Sequence, residues 1–430
     1  MITKKFKEID EEYYEKVLDS GLKVILIPRK KFNKKHAILS VDVGSVDLKL
    51  KDKDNNIHEF PKGIAHFMEH MLFENREGSI IDKFSQIGSS VNAYTGFNNT
   101  NYYFNTTNNF YRSLKYLFGF VLHPHFEKKR IEHEKNVIKQ EINMYQDSPS
   151  WQSFYQLLQS LFYEYPIKDN IAGTPRSIEK MNEQILADFF ERYYNLNNMT
   201  LIVIGDIQEE KLFDWLIKNI KVDNNKPYNY EKIYPMEPNG IKLKEQDIAM
   251  SISRPIISIG FKENNYPDSK SEVIKQDMVT NIILEMIFGK SSDQYHKLYN
   301  NDLIDENFSY NYMREKNTGF AKIYAETNHI EPTINGITNI IDNWEKKIKR
   351  ENFEVVKHKY IGRYFRSLNS FETLSSQIIK YHNLNQNYLD IIKMIKDIKL
   401  EDVIKQYTDL LKNQEHVKII IRKISKHSTN

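Results

Sequence analysis

The segment Gly63-Ile64-Ala65-His66-Phe67-Met68-Glu69-His70-Met71-Leu72-Phe73 decides how the rest of this chain is read. After Pro61 and Gly63 its apolar residues recur at helical spacing, which predicts a helix from Ile64 to Phe73. His66 and His70 are four apart, so a helix sets both imidazoles on one face about one turn apart. Such a pair can take two corners of a zinc tetrahedron. Glu69 is three residues from His66 and next to His70, so it borders the same face. A carboxylate there can take the proton of a water as that water attacks a carbonyl. The order His-x-x-Glu-His inverts the better-known His-Glu-x-x-His motif. Histidine is scarce, 13 in 430 residues, so the pattern arises by chance in roughly 3% of chains this long. A further ligand from elsewhere is therefore the test of the reading.

The segment Glu134-Lys-Asn-Val-Ile-Lys-Gln-Glu141-Ile-Asn-Met-Tyr145 supplies one. Glu134 and Glu141 are seven apart and share a helix face, with Val137, Ile138, Ile142 and Met144 around them. A carboxylate held against apolar surface needs a partner. Zinc would be one, with Glu141 as ligand and Glu134 as a supporting carboxylate behind it.

Outward from these segments, residues 22–28 (LKVILIP) and 37–43 (AILSVDV) read as strands, and 89–95 and 101–106 as two more joined by an Asn-rich turn. Helical spacing follows over 110–120, 129–145, 150–163 and 182–194, then a strand over 199–204 and a helix over 209–220. Residues 221–240 (KVDNNKPYNYEKIYPMEPNG) carry three prolines and no helical period, and read as a linker. The order then restarts, with strands expected at 256–261, 319–326 and 417–421 around helices at 277–288, 332–345, 352–367, 371–381 and 400–411. Two α+β domains of about 200 residues are expected: residues 1–225, a linker at 226–240, and residues 241–430.

Composition sets limits on function. Lys and Arg number 61 against 58 Asp and Glu, a net charge of +3, too balanced for a dedicated nucleic-acid binder. Without cysteine the chain has no disulfide scaffold, thiolate metal site or thiol nucleophile. No apolar run approaches the 18 residues of a membrane span, and the Lys-rich start MITKKFKEIDEEYYEK lacks the apolar core of a secretory signal. A cytoplasmic protein is expected. His123-Pro-His125 has a chelating spacing but reads as a loop pair. There is no phosphate-cradling Gly-rich loop and no Ser in a nucleophile elbow.

The chain resembles the pitrilysin-type zinc peptidases, the inverzincin family that includes insulin-degrading enzyme and the catalytic subunit of mitochondrial processing peptidase. The resemblance rests on His66, Glu69 and His70, on Glu141 after 70 intervening residues, and on Glu134 seven before it. Residues 88–95 (GSSVNAYT), 102–106 and 198–205 (NMTLIVIG) also match. It implies two homologous domains, each a mostly antiparallel sheet packed on helices, facing a shared chamber in a dimer. It implies that His66, His70 and Glu141 bind zinc, that Glu69 activates water and that Glu134 supports the catalytic shell. It further implies that Val91, Asn92, Ala93, Tyr94 and Thr95 form an edge strand along which a peptide or unfolded polypeptide lies. An exposed edge binds extended chains through main-chain hydrogen bonds.

The chain also departs from the pattern. Many family members carry an Arg and, seven residues later, a Tyr that bind the substrate carbonyl. At the matching positions stand Tyr299 and Glu306, with Phe308 nearby. The resemblance therefore implies the zinc-bearing member of a paired bacterial peptidase, with a homologous partner subunit supplying the Arg and Tyr; a homodimer is the alternative. A peptidase that matures one precursor or leader peptide, and a non-proteolytic scaffold of the same fold, are the alternative functions.

Overall fold

The computed structural model describes residues 2–6, 9, 11–75, 78–220, 229–267, 269–384 and 386–424. Residues 226–228 of the expected linker lie outside them. Two compact units emerge: Met1–Asn143 with Asn170–Tyr234 and Ser370–Ile379, and Met144–Asp169 with Pro235–Asn369 and Lys380–Asn430.

The first unit is built on a seven-stranded sheet. Its strands are β1 (Ile2–Phe6), β2 (Glu11–Val17), β3 (Lys23–Pro28), β4 (Lys35–Val41), β5 (Ser89–Thr95), β6 (Thr100–Thr106) and β7 (Met199–Gly205), in the order β1-β2-β3-β7-β4-β6-β5. The MTLIVIG run of β7 is apolar except at Thr200 and buried along nearly its whole length. It therefore takes a central place, parallel to β3 and antiparallel to β4. β5 alternates half-buried and exposed residues after a buried Ser89 and forms the sheet edge, antiparallel to β6 alone. Helices α1 (Ile64–Phe73), α2 (Phe110–Leu122) and α3 (Lys128–Gln146) follow in chain order, the last running across the division between the units. Ile64, Ala65, Phe67, Met68, Met71 and Leu72 of α1 are buried and join the core. Burial of each of the larger side chains, Ile64, Phe67, Met68, Met71 and Leu72, contributes about 1.5–3 kcal/mol.

Glu231–Lys232, within the stretch read as linker, pair with Lys49–Lys51 in a small three-stranded sheet. Their anchor is Asp47, whose side chain is fully buried. It accepts from Tyr234 Oη at 2.6 Å and Gly44 N at 2.8 Å and pairs with Lys232 Nζ at 3.0 Å.

The second unit repeats the architecture. Its strands are β8 (Glu245–Met250), β9 (Ile256–Lys262), β10 (Ser309–Glu315), β11 (Thr318–Glu326) and β12 (Val417–Lys423), in the order β8-β12-β9-β11-β10. β8 and β12 are parallel and the remaining pairs antiparallel. Numbered within each unit, β3 to β7 and β8 to β12 both run first-fifth-second-fourth-third. The mostly antiparallel sheets and the internal repeat agree with the fold class expected from the sequence. Helix α4 (Pro149–Leu161) packs on β9 and β12, where Gly260 leaves room for Leu157. Helices α5 (Lys270–Phe288), α6 (Ile330–Asn343) and α7 (Arg350–Ser367) hold the chain positions of α1, α2 and α3.

Several elements escaped the sequence reading. β1 carries Lys4 and Lys5, β2 three Glu and a Lys, and β8 Glu245, Gln246 and Asp247, because each lies at or near a sheet edge, where polar side chains reach water. α5 begins at Lys270, seven residues before the apolar period used to place it, on a Ser269 side chain that accepts from Glu272 N.

Candidate metal centre

α1 begins where the backbone leaves no room for a side chain. Gly63 has φ +87°, and a Cβ there would stand 2.5 Å from the Ala172 carbonyl oxygen. The buried stripe of α1 then fixes the rotation of the helix and leaves His66, Glu69 and His70 on the other side. The two imidazole centroids are 4.6 Å apart.

α3 brings the carboxylates. Glu141 Oε2 lies 3.8 Å from His66 Nε2 and 3.7 Å from His70 Nε2. One ligand atom from each of His66, His70 and Glu141 falls within 4.8 Å of the others. For metal bonds of about 2.0–2.2 Å, tetrahedral corners lie about 3.3–3.6 Å apart, so small side-chain adjustments seat an ion here. Two neutral nitrogens and one carboxylate with an open fourth position are the donor set of a catalytic zinc site. Among the described residues no other group of this kind occurs.

Glu134 Oε1 accepts from His70 Nδ1 at 2.7 Å, with its side chain only 8% exposed. With the proton on Nδ1, the Nε2 lone pair of His70 faces Glu141. Burial, then the neighbouring His70, hold His66 well below the ordinary imidazole pKa, at about 4, so its ring is neutral as a metal ligand requires. Burial also disfavours a charged His70, but the Glu134 hydrogen bond and the surrounding carboxylates outweigh it and raise its pKa. Burial raises the Glu69 carboxyl, while bonds from Thr95 pull it back.

The strand singled out from sequence reaches this cluster at its end. Thr95 Oγ1 donates to Glu69 Oε2 at 2.5 Å. Val91 and Ala93 pack on the core, whereas Asn92 and Tyr94 face outward. Asn92 Oδ1 accepts the Ala93 N–H at 2.8 Å, and Tyr94 meets Tyr103 edge-on and Ser376 Oγ at 3.2 Å. The Thr95–Glu69 bond was not foreseen, because nothing local names the partner of Thr95. His123 and His125 follow α2 in a loop, with Gly119 O and Glu127 as partners.

The second unit fills the corresponding place with opposite chemistry. Glu285 of α5 accepts from Tyr310 and pairs with both Lys359 and Arg363 of α7. Where the first unit sets histidines of α1 against carboxylates of α3, the second sets one carboxylate against two cations.

Residues 24–175 match the family described as Insulinase (Peptidase family M16), and residues 180–360 match Peptidase M16 inactive domain. The uncharacterized zinc protease YmfH of Bacillus subtilis (strain 168) is 34% identical over 404 residues, covering 93% of this chain and 94% of that protein. The chain belongs to peptidase family M16. Its M16 relatives are named zinc proteases, and His66, His70 and Glu141 are a donor set that fits that metal. A crystal structure described as an M16-like peptidase from Alicyclobacillus acidocaldarius superposes on this M16 chain with TM-score 0.92 at 28% identity, covering 96% of this chain and 99% of that one. A protease from Helicobacter pylori shares the M16 fold with TM-score 0.81 at 17% identity, over 96% and 99% of the two chains.

Proposed function

We propose that this protein is a zinc-dependent endopeptidase that hydrolyses peptides or unfolded polypeptide segments. The observation that carries the reading is the convergence of His66 Nε2, His70 Nε2 and Glu141 Oε2 beside Glu69. In this reading residues 1–225 form the zinc-binding peptidase domain, 226–240 the linker, and 241–430 a homologous domain without a metal site.

His66, His70 and Glu141 hold the zinc, and Glu134 orients His70. Zinc, when bound, supplies Lewis-acid polarisation of the substrate carbonyl and of water. Glu69 takes a proton from the attacking water and returns it to the departing amine. The open edge of β5, from Val91 to Thr95, pairs with the extended substrate through main-chain hydrogen bonds. That mode reads backbone and not side chains, so it favours unfolded segments over one fixed sequence.

Tyr299 is 45% exposed and stacks on Tyr295, and Glu306 is exposed, so neither position presents a guanidinium to a carbonyl. We infer a homologous partner subunit that supplies the Arg and Tyr, in a dimer enclosing a chamber in the cytoplasm. The test is cleavage of an unstructured quenched peptide library by the zinc-loaded chain, alone and co-expressed with a homologous chain carrying that pair. Cleavage that disappears in Glu69→Gln at unchanged zinc content supports the reading. Full activity in Glu69→Gln refutes the mechanism, full activity as a homodimer refutes the partner, and absence of stoichiometric zinc refutes the site.

A further inference from the structure

Thr95 ends β5, and the hydrogen-bond register there fixes where its backbone points. Gly96 N donates to Asn99 O at 2.8 Å, and Tyr94 and Asn92 stand opposite Asn101 and Tyr103 of β6. Backbone bonding to a neighbour alternates along an antiparallel strand. Gly96, Tyr94 and Asn92 therefore turn their amides toward β6, while Thr95, Ala93 and Val91 turn theirs to the open edge. The Ala93 amide is met there by Asn92 Oδ1. The Thr95 amide is met by the Glu69 carboxylate, which also accepts the Thr95 hydroxyl at 2.5 Å. Two donors from one residue thus grip one carboxylate at the end of the edge.

We propose that Thr95 is a positioning residue that aims Glu69, and that it is not itself a contact for the substrate side chain. The proposal rests on the reading of Glu69 as the base. A glutamate has three rotatable torsions and is a poor base unless one oxygen is held toward the water. A short hydroxyl-to-carboxylate bond is among the stronger neutral-to-charged contacts, and here it comes from the strand that would pair with the substrate. The base is thereby tied to the template strand, so the water-facing oxygen and the peptide backbone share one rigid reference.

The experiment compares Thr95→Val, which keeps the shape and removes the hydroxyl, with Thr95→Ser, which restores it. Both are crystallised with zinc and assayed beside wild type and Glu69→Gln. The expected result for Thr95→Val is a displaced or split Glu69 carboxylate, kcat down about tenfold, and KM and zinc content unchanged. Thr95→Ser is expected to restore the carboxylate position and kcat to within about threefold. A Glu69 carboxylate that stays in place in the Thr95→Val crystal overturns the proposal, whatever the activity. So does an unchanged kcat in Thr95→Val while Glu69→Gln is inactive. If Glu69→Gln keeps full activity, the base assignment fails separately, and the carboxylate position alone decides whether Thr95 orients Glu69.

Discussion

His70 and Glu134 are joined by a 2.7 Å hydrogen bond from Nδ1 to a buried carboxylate oxygen, across 64 residues of sequence. The bond leaves the other ring nitrogen of His70 facing Glu141 Oε2 at 3.7 Å. The buried carboxylate also raises the basicity of that nitrogen. Glu134→Gln keeps an acceptor oxygen and removes the charge. Zinc affinity should fall about 10–100-fold with the fold intact, read by competition with a fluorescent chelator. An unchanged affinity would make Glu134 a packing residue.

Zinc binding should stabilise the protein. A ligand at about one hundred times its Kd adds about 2.7 kcal/mol, and for a unit of about 200 residues each kcal/mol moves Tm by about 2–4 °C. Chelation should therefore lower Tm by several degrees, and zinc should restore it. Glu141→Gln should abolish that zinc response, because the carboxylate is the one anionic member of the three-residue set. An equal zinc-dependent rise in Glu141→Gln would place the ion elsewhere.

His36 on β4 is 1% exposed, with Nε2 2.9 Å from Ser375 Oγ and Nδ1 3.0 Å from Asn105 Oδ1. The three side chains are arranged like a hydrolytic triad, but His36 and Ser375 are buried, so the cluster fastens residues 370–379 to the sheet of the first unit. Burial holds the imidazole down at about 4, with Asn105 and Glu372 opposing and Lys34 assisting. Above pH 6.5 the ring is neutral whether folded or unfolded. As pH falls from about 6.5 to 4 the unfolded chain takes the proton first, so stability is lost across that window, by about 3 kcal/mol in total. Urea unfolding in chelator at pH 7.5 and 4.5 should show a larger acid loss for wild type than for His36→Gln. Equal losses would mean that His36 is protonated in the folded state.

Asp47→Ala should cost about 1–3 kcal/mol, because it leaves the Tyr234 hydroxyl and the Gly44 N–H without their acceptor, while Lys232 keeps Asp42 Oδ1 at 3.2 Å and the Asp42 carbonyl at 2.6 Å. Denaturant midpoints would register the loss. A cost under about 1 kcal/mol would show that water readily replaces the carboxylate.

Much of the site was legible because it is local. Helix α1 runs over the residues expected of it, since its apolar period and Gly63 are both printed in eleven consecutive residues. The seven-residue interval set Glu134 and Glu141 on one face of α3 for the same reason. The edge strands β1 and β8, and β2 beside β1, were not legible. Their burial patterns follow from what lies beside them, and charged runs such as EEYYEKV carry no sign of a neighbour. Nor was Thr95 as the partner of Glu69 legible, because that contact joins a strand end to a helix through the packing of the whole sheet.

The sequence by itself determined which groups lie together on single helix faces: His66, Glu69 and His70 within about one turn, and Glu134 and Glu141 seven residues apart. Those are properties of backbone periodicity, which needs only a few residues to express. Tertiary structure alone decided that Glu141 meets both histidines, that Glu134 meets the far side of one, and that Glu69 ends on Thr95 at an open sheet edge. It also decided that the matching place in the second unit holds Glu285 between Lys359 and Arg363. These are distances between segments far apart in the chain, set by how buried faces of helices and sheets fit together, and no local pattern encodes them.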